Sequence, residues 1–252
     1  MKPGAVLITG AGQRIGKALA LALGEDGWAV AVHYRRSEAA AQEVRDAIVA
    51  AGGTAQIIQA DLADPEALNA LIPAAARAVG PLHALINNAS HFEDDRLQGL
   101  SAQSWDTHMD ANLRAPVFLT RSFAAQVPDG VQGAVVNLGD QRVHRSNPRF
   151  FSYTLTKAAL AAATRTMAQA LAPQVRVNMV APGPTLRNAR QSEQDFEAQV
   201  RATLLGTGSP VDEIVGAVRY MLAARAVTGQ TLIVDGGQHL LWRTADVHGV
   251  AE

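Results

Sequence analysis

The chain contains no cysteine, which excludes disulfides, thiolate nucleophiles and cysteine-held metal centres. Its seven histidines never stand at H-x-x-x-H or H-E-x-x-H spacing, so two ring nitrogens do not share a helical face and zinc is not expected. Charge of one sign is missing too. Lys and Arg number 22 against 23 Asp and Glu, a formal charge of −1, which leaves no basic excess for nucleic acid. Long apolar runs are also lacking. The opening run Ala5-Val6-Leu7-Ile8 is too short for a signal peptide or a membrane span, and the longest Ala-rich stretch is broken by Lys157 and Arg165. These absences together predict a soluble, cytoplasmic protein with no metal, nucleic-acid or membrane partner.

What is present is enough for a large core. The 252 residues are 48% hydrophobic and only 18% charged, which excludes a disordered chain. Short apolar runs alternate with longer amphipathic ones from end to end. Strands are expected at Ala5–Thr9, Trp28–His33, Ala55–Ala60, Ala84–Asn87, Ala134–Leu138, Val175–Val180 and Gln230–Val234. Helices are expected at Ile15–Leu23, Ser37–Ala51, Pro65–Val79, Ser104–Val127, Tyr153–Leu171, Asp195–Leu205 and Asp212–Leu222, with Pro73 interrupting the third and Pro116 bending the fourth. No linker, repeat or low-complexity stretch divides them. The order predicts one α/β domain over residues 1–252, a doubly wound Rossmann-type parallel sheet with ligands at the strand C-termini. The polar stretch 185–207 reads as a substrate lid.

The first strand runs into Gly10-Ala11-Gly12-Gln13-Arg14-Ile15-Gly16 and then a helix. Glycines in that position permit a tight turn and close backbone approach, and the helix N-terminus offers unpaired N–H groups to a pyrophosphate. Arg14 stands where a small residue is expected and reads as a cation facing the anion site. After the second strand, His33-Tyr34-Arg35-Arg36-Ser37 carries no acid to hold a ribose 2′-hydroxyl. Two arginines and a serine, which can also N-cap the next helix, suit a 2′-phosphate, so NADP is expected rather than NAD. Asp61 and Leu62, past the third strand, are placed at the adenine end. Asp61 can equally be a capping carboxylate. Asn88, Ala89 and Ser90 follow the fourth strand, where small residues let a flat cofactor lie against backbone, and Phe92 offers an aromatic plate.

Tyr153 and Lys157 lie four residues apart on one helix and share a face. A nearby ammonium favours phenolate, so Lys157 is expected to draw the Tyr153 pKa down toward the working range. Asp140, at the end of the preceding strand, falls beside them if strand and helix pack. A strand-end carboxylate paired with Arg142 is the plainer alternative. The basic cluster Arg142, His144, Arg145 and Arg149 meets either an acidic substrate tail, an oligomer contact or solvent.

Thr9-Gly10 through Gly16, Asn87-Asn88-Ala89, Tyr153 with Lys157, Pro182-Gly183 and Asp235-Gly236-Gly237 resemble the short-chain dehydrogenase/reductase family in order and spacing over almost the whole chain. The resemblance implies a seven-stranded parallel sheet, a nicotinamide cofactor, Tyr153 as acid and Lys157 on the nicotinamide ribose. It implies Pro182 and Gly183 at the cofactor, and Asn112 holding a proton-relay water. The family's usual helix pairing implies a homodimer or homotetramer. Two departures are informative: Asp140 replaces the family's usual serine, and Arg14 replaces a small residue. With Asn88-Ala89-Ser90-x-Phe92 and His33-Tyr34-x-Arg36-Ser37, they resemble the pteridine reductase branch and its dihydromonapterin/dihydrofolate reductase-like members. That branch implies a pterin stacked on Phe92, Arg14 and Ser90 touching substrate and cofactor phosphate, and Asp140 joining Tyr153 in proton delivery. NADPH-dependent reduction of a pterin-type C=N bond is therefore expected. A ketone or 3-oxoacyl reductase is the alternative in the same family, and a non-catalytic NADP-binding sensor or scaffold the alternative from another class.

Overall fold

The structure is a computed structural model and describes residues 3–128, 130–188 and 190–244. The lid residue Ala189 lies outside them. In chain order the elements are β1 (Ala5–Ile8), α1 (Arg14–Glu25), β2 (Ala29–Tyr34), α2 (Glu38–Ala50), β3 (Thr54–Gln59), α3 (Pro65–Val79), β4 (Leu82–Asn87), α4 (Ala102–Met109), α5 (Ala115–Gln126), β5 (Gly133–Leu138), α6 (Phe151–Leu171), β6 (Val175–Pro182), α7 (Glu193–Arg201), α8 (Val211–Ala223) and β7 (Thr231–Val234).

The strands form one parallel seven-stranded sheet in the order β3-β2-β1-β4-β5-β6-β7, the expected single doubly wound domain. Both faces are buried, and the period of two along each strand divides its residues between two cores. On β1, Val6 and Ile8 join the layer with α1, α2 and α8, whereas Ala5 and Leu7 join the layer with α3 and α5. The chain reverses direction across the sheet between β1 and β4, and such a switch point opens a crevice at the strand C-termini. Among the described residues, no helix is long and apolar enough to cross a membrane.

Three expectations need correction. Pro73 does not break α3, which runs unbroken from Pro65 to Val79. Its ring is exposed, so the carbonyl it frees faces solvent, while Leu68, Leu71, Ile72 and Ala75 hold the opposite face on the sheet. The Ser104–Val127 helix is two helices joined by a π turn at Asp110–Arg114. Pro116 sits in the first turn of α5, where a missing N–H costs little, and the irregularity lies one turn earlier, in the π turn that carries Asn112. In the lid, the helix covers Glu193–Arg201 rather than Asp195–Leu205, because Ser192 and Asp195 form a capping box that fixes its start.

Phe123 of α5 is fully buried, and its ring lies so close to Gly133 that an added Cβ there would meet Cε1 at 3.0 Å. Phe123→Ala should cost about 3–5 kcal/mol in urea unfolding, with the far-ultraviolet dichroism of the native state retained. A loss under about 1 kcal/mol would show that the layer refills around the cavity.

Candidate active site

The glycine turn is built from its neighbours inward. Gly10 takes a positive φ of 63°, and a Cβ at Gly16 would collide with the Gly10 carbonyl. Buried His33 sits behind the turn. Its Nδ1 accepts from the Gly10 N–H at 3.0 Å, which leaves Nε2 to donate to the Ala60 carbonyl at 3.1 Å. Burial pushes the imidazole down to about 4, against smaller upward contributions from the Ala60 carbonyl and Asp61. The ring therefore supports the turn as a neutral group, with both nitrogens engaged by main-chain groups. From the other side, Asn88 Nδ2 donates to the Thr9 and Gly10 carbonyls at 2.8 and 3.1 Å. The buried Thr9 hydroxyl accepts from the Asn88 and Ala89 N–H groups at 2.9 and 3.0 Å. Thr9, the first residue of the Thr9–Gly16 motif, thus fastens the turn to the end of β4.

The basic loop is open to solvent. Arg35, Arg36 and Ser37 are exposed at the end of β2. Ser37 occupies the N-cap position of α2 but its hydroxyl makes no capping bond, so the expected cap is absent and the hydroxyl is free for a ligand. Tyr34 and Ile15 are partly buried against the core. Leu62 is buried under α3, whereas exposed Asp61 closes a local turn by accepting from the Ala63 N–H at 3.0 Å. At the end of β6, the Gly183 N–H donates to Ser209 Oγ at 2.8 Å, and a Cβ on Gly183 would lie 2.7 Å from Asp235 Cβ. Only glycine fits there, which keeps the backbone beside Pro182 in its place.

Arg14 departs from its expected place. It adopts a φ of 53°, rare for a side-chain-bearing residue, and its guanidinium donates to the lid carbonyls of Leu186 and Arg187 at 2.8 and 2.7 Å. Two carbonyls in a row match a planar fork, so the side chain ties the glycine turn to the lid. At the lid's other end, Arg190 donates to Glu93 Oε2 at 2.9 Å and to the Phe92 carbonyl at 2.8 Å. Neither partner of Arg190 is visible from sequence spacing.

Tyr153, Asp140 and Lys157 do converge. The Tyr153 hydroxyl donates to Asp140 Oδ2 at 2.9 Å, and Asp140 Oδ1 accepts from the Arg142 main-chain N–H at 2.9 Å. Lys157 Nζ donates to the Leu138 carbonyl at 2.7 Å. The pKa expectation is reversed. Burial, then the charge of Asp140 and its hydrogen bond, push Tyr153 well above the ordinary phenol value, with Arg142 acting weakly the other way. Burial lowers Lys157 to about 8, with Asp140 opposing. Without cofactor, Tyr153 is thus a protonated donor, held so first by burial and then by the carboxylate at 2.9 Å.

Asn112 is buried in the π turn with every side-chain position used. Its carbonyl accepts from Ser90 Oγ at 3.1 Å and the His91 N–H at 2.8 Å, and its amide donates to the His91 carbonyl at 2.9 Å and to Thr156 Oγ1 at 3.3 Å. The side chain fastens the Ser90–His91 segment and has no position left for a relay water. Phe92 stacks on Phe150, centroids 4.3 Å apart and planes 7° apart, and meets Tyr153 edge-on at 4.6 Å. A buried cluster that the sequence does not reveal docks the start of α6. Asp95 accepts from the Ser152 N–H at 3.0 Å, from the Ser152 hydroxyl and from Ser104 Oγ at 2.9 Å, with His108 Nδ1 2.8 Å from the Ser152 hydroxyl.

His33 gives a testable pH dependence. A group held at about 4 in the folded state and near its ordinary 6.5 when unfolded contributes full stability above pH 6.5, lost as pH falls toward 4. The loss is about 3 kcal/mol. His33→Asn keeps an acceptor for Gly10 but cannot titrate. Urea unfolding across this window should show a shallower decline for the variant, and equal slopes would remove the neutral imidazole from the turn.

The sequence model of the short chain dehydrogenase family matches residues 4–198. Among solved structures, FolM alternative dihydrofolate reductase 1 from Brucella suis, in complex with NADP, is 44% identical with a TM-score of 0.94, covering 96% of this chain and 98% of that one. Its Brucella canis counterpart, also with NADP, is 43% identical with a TM-score of 0.92, covering 97% of each chain. The 3-oxoacyl-[acyl-carrier-protein] reductase FabG of Staphylococcus aureus is 32% identical over 240 residues, 93% of this chain and 97% of that protein. The matched motifs, the seven-stranded parallel sheet and these full-length similarities place the chain in the short-chain dehydrogenase/reductase family, with FolM-type reductases among its relatives.

Proposed function

We propose that this protein is an NADPH-dependent reductase of a pterin-type C=N bond, taking a dihydropterin or dihydrofolate to its tetrahydro form. One observation carries this: the hydrogen bond from Tyr153 to the Asp140 carboxylate. A ketone reductase needs a second hydroxyl donor for the carbonyl oxygen, and an ionised carboxylate can only accept. A pterin brings N–H and amino donors for the carboxylate and a ring nitrogen for the proton, so Asp140 and Tyr153 have complementary tasks. The identity to FolM reductases at 43% and 44% supports the same substrate class.

The residues fit NADPH. Gly10, Ile15, Gly16, Asn88, Ala89 and Ser90 line the turn and strand end, Arg35, Arg36 and Ser37 would hold the 2′-phosphate, and Asp61 with Leu62 would border the adenine. Tyr34, Pro182 and Gly183 complete the walls, with His33 bracing the turn from behind. When bound, NADPH supplies the hydride. Tyr153 supplies the proton from its hydroxyl, and Asp140 orients both that hydroxyl and the substrate. Lys157, at about 8 in the cofactor-free protein, would hold the nicotinamide ribose. Phe92 would stack on the ring, while Arg14 holds the lid above it. The exposed faces of α5 and α6, with Phe118 and Leu155 at 38% and 39% exposure, suit pairing in a homodimer or homotetramer.

Reduction of a ketone or 3-oxoacyl group is the second reading, favoured by the 32% identity to FabG. NADPH oxidation, followed at the nicotinamide absorbance, separates the two. Dihydrobiopterin, dihydromonapterin and dihydrofolate should turn over beside a ketone panel, and Tyr153→Phe should lower the rate by about 10²–10⁴. Asp140→Ser should lower pterin kcat/KM by at least about 10-fold, and unchanged pterin turnover would remove Asp140 from the mechanism. Ketone turnover alone would transfer the assignment to the second reading. Arg36→Glu should weaken NADPH more than NADH, and an equal loss of both would overturn the 2′-phosphate site.

A further inference from the structure

Arg142 is the least explained charge near Tyr153. It lies in the single 3₁₀ turn Gln141–Val143 that follows Asp140, and its contact with Asp140 runs through its main-chain N–H, not through its guanidinium. The guanidinium carbon stands 4.8 Å from the Phe150 ring centre, 5.5 Å from Phe92 and 5.8 Å from Tyr153. Nε and Nη1 are both buried and, among the described residues, neither has a hydrogen-bond partner. Aromatic faces attract the charge, but they do not receive the in-plane N–H groups, and buried donors left unpaired carry a desolvation cost. Nearby, Phe150 holds a φ of 54°, a strained geometry for a bulky residue of the kind that collects at functional sites.

We propose that Arg142 is a specificity-determining residue that donates to an acceptor oxygen on the substrate while Asp140 receives the substrate's N–H groups. The inference rests on the pterin reductase reading and extends it. A guanidinium can only donate and an ionised carboxylate can only accept. Two residues apart in sequence, they offer both halves of the recognition that an amide-like ring edge requires, with an oxo oxygen beside N–H and amino groups. In a folate, a tail carboxylate has the same acceptor chemistry. A simple ketone has neither feature away from its reacting carbon, and Tyr153 already serves that carbon's oxygen. Phe92, on which the pterin reading stacks a planar heterocycle, has its ring centre 5.5 Å from the Arg142 guanidinium carbon, so a ring held there would bring its edge close to the unpaired N–H groups. Arg142 also acts downward on the Tyr153 pKa, which agrees with a position beside the reacting nitrogen.

The test is steady-state NADPH oxidation by the full chain with dihydrobiopterin and with dihydrofolate, comparing wild type, Arg142→Met and Arg142→Lys. Arg142→Met should raise KM by about 10- to 100-fold, with kcat within about 3-fold, and the NADPH Kd from nicotinamide fluorescence should not change. Arg142→Lys, which keeps the charge and loses the planar fork, should recover part of the loss. A rise for both substrates assigns the ring oxygen, and a rise for dihydrofolate alone assigns the tail carboxylate. An unchanged KM for both, or a parallel fall in NADPH affinity, overturns the role of Arg142. If wild type turns over neither pterin, the reductase reading falls and this inference falls with it, whereas wild-type turnover with an unaffected variant overturns Arg142 alone. Should Arg142→Met fail to fold, the KM of Arg142→Lys decides: a value equal to wild type overturns the proposal.

Discussion

The site depends on one buried hydrogen bond, from the Tyr153 hydroxyl to the Asp140 carboxylate at 2.9 Å. Burial opposes ionisation of the phenol most, and the carboxylate at that distance, a strong acceptor, acts in the same direction. The acid is therefore held in its proton-bearing form before any ligand arrives. The main-chain N–H of Arg142 occupies the other carboxylate oxygen, so the orientation of Asp140 is fixed from both ends. Lys157 is turned to the Leu138 carbonyl at 2.7 Å, which ties α6 to the end of β5 and sets the height of Tyr153 above the sheet.

Around this bond the fold supplies position. The sheet switches direction between β1 and β4, and the glycine turn lies at that switch, braced by His33 from β2 and by Asn88 from β4. These braces act by hydrogen bonding to main-chain groups, so they fix where the turn sits. The lid is fastened at both ends by arginines, Arg14 to Leu186 and Arg187 and Arg190 to Glu93 and Phe92. Each is an exposed, salt-screened contact of modest strength.

Much of this was readable from residue order. The alternation of apolar runs gives the sheet and its single domain. The four-residue interval between Tyr153 and Lys157 gives their shared face, and a carboxylate at the end of the preceding strand gives the partner. What escaped was the direction of side chains whose partners are distant in sequence. Period two on β2 shows that His33 alternates with its neighbours, but not that its ring reaches the Gly10 N–H. Arg14 has the right position for an anion, yet two lid carbonyls some 170 residues onward match its fork better. Spacing places Lys157 beside Tyr153 but conveys neither the burial that chiefly raises the phenol nor the nearby carboxylate of Asp140 that adds to it. The π turn at Asn112 was hidden by Pro116, the more familiar cause of a bend. Phe150 and the Asp95–Ser152–His108 cluster have no spacing signal at all, since a tertiary hydrogen bond leaves no local periodicity.

The most direct test of the Tyr153–Asp140 bond is a pH titration of the tyrosine rings by carbon-13 NMR in the cofactor-free protein. The chain has only three tyrosines, so assignment by Tyr153→Phe is straightforward. Tyr153 should remain protonated well past the ordinary phenol range near ~10, and Asp140→Ser should bring its titration down toward that range. Ionisation of wild-type Tyr153 at or below the ordinary value, unchanged by Asp140→Ser, would contradict the assignment of that hydrogen bond as the interaction that holds the acid ready.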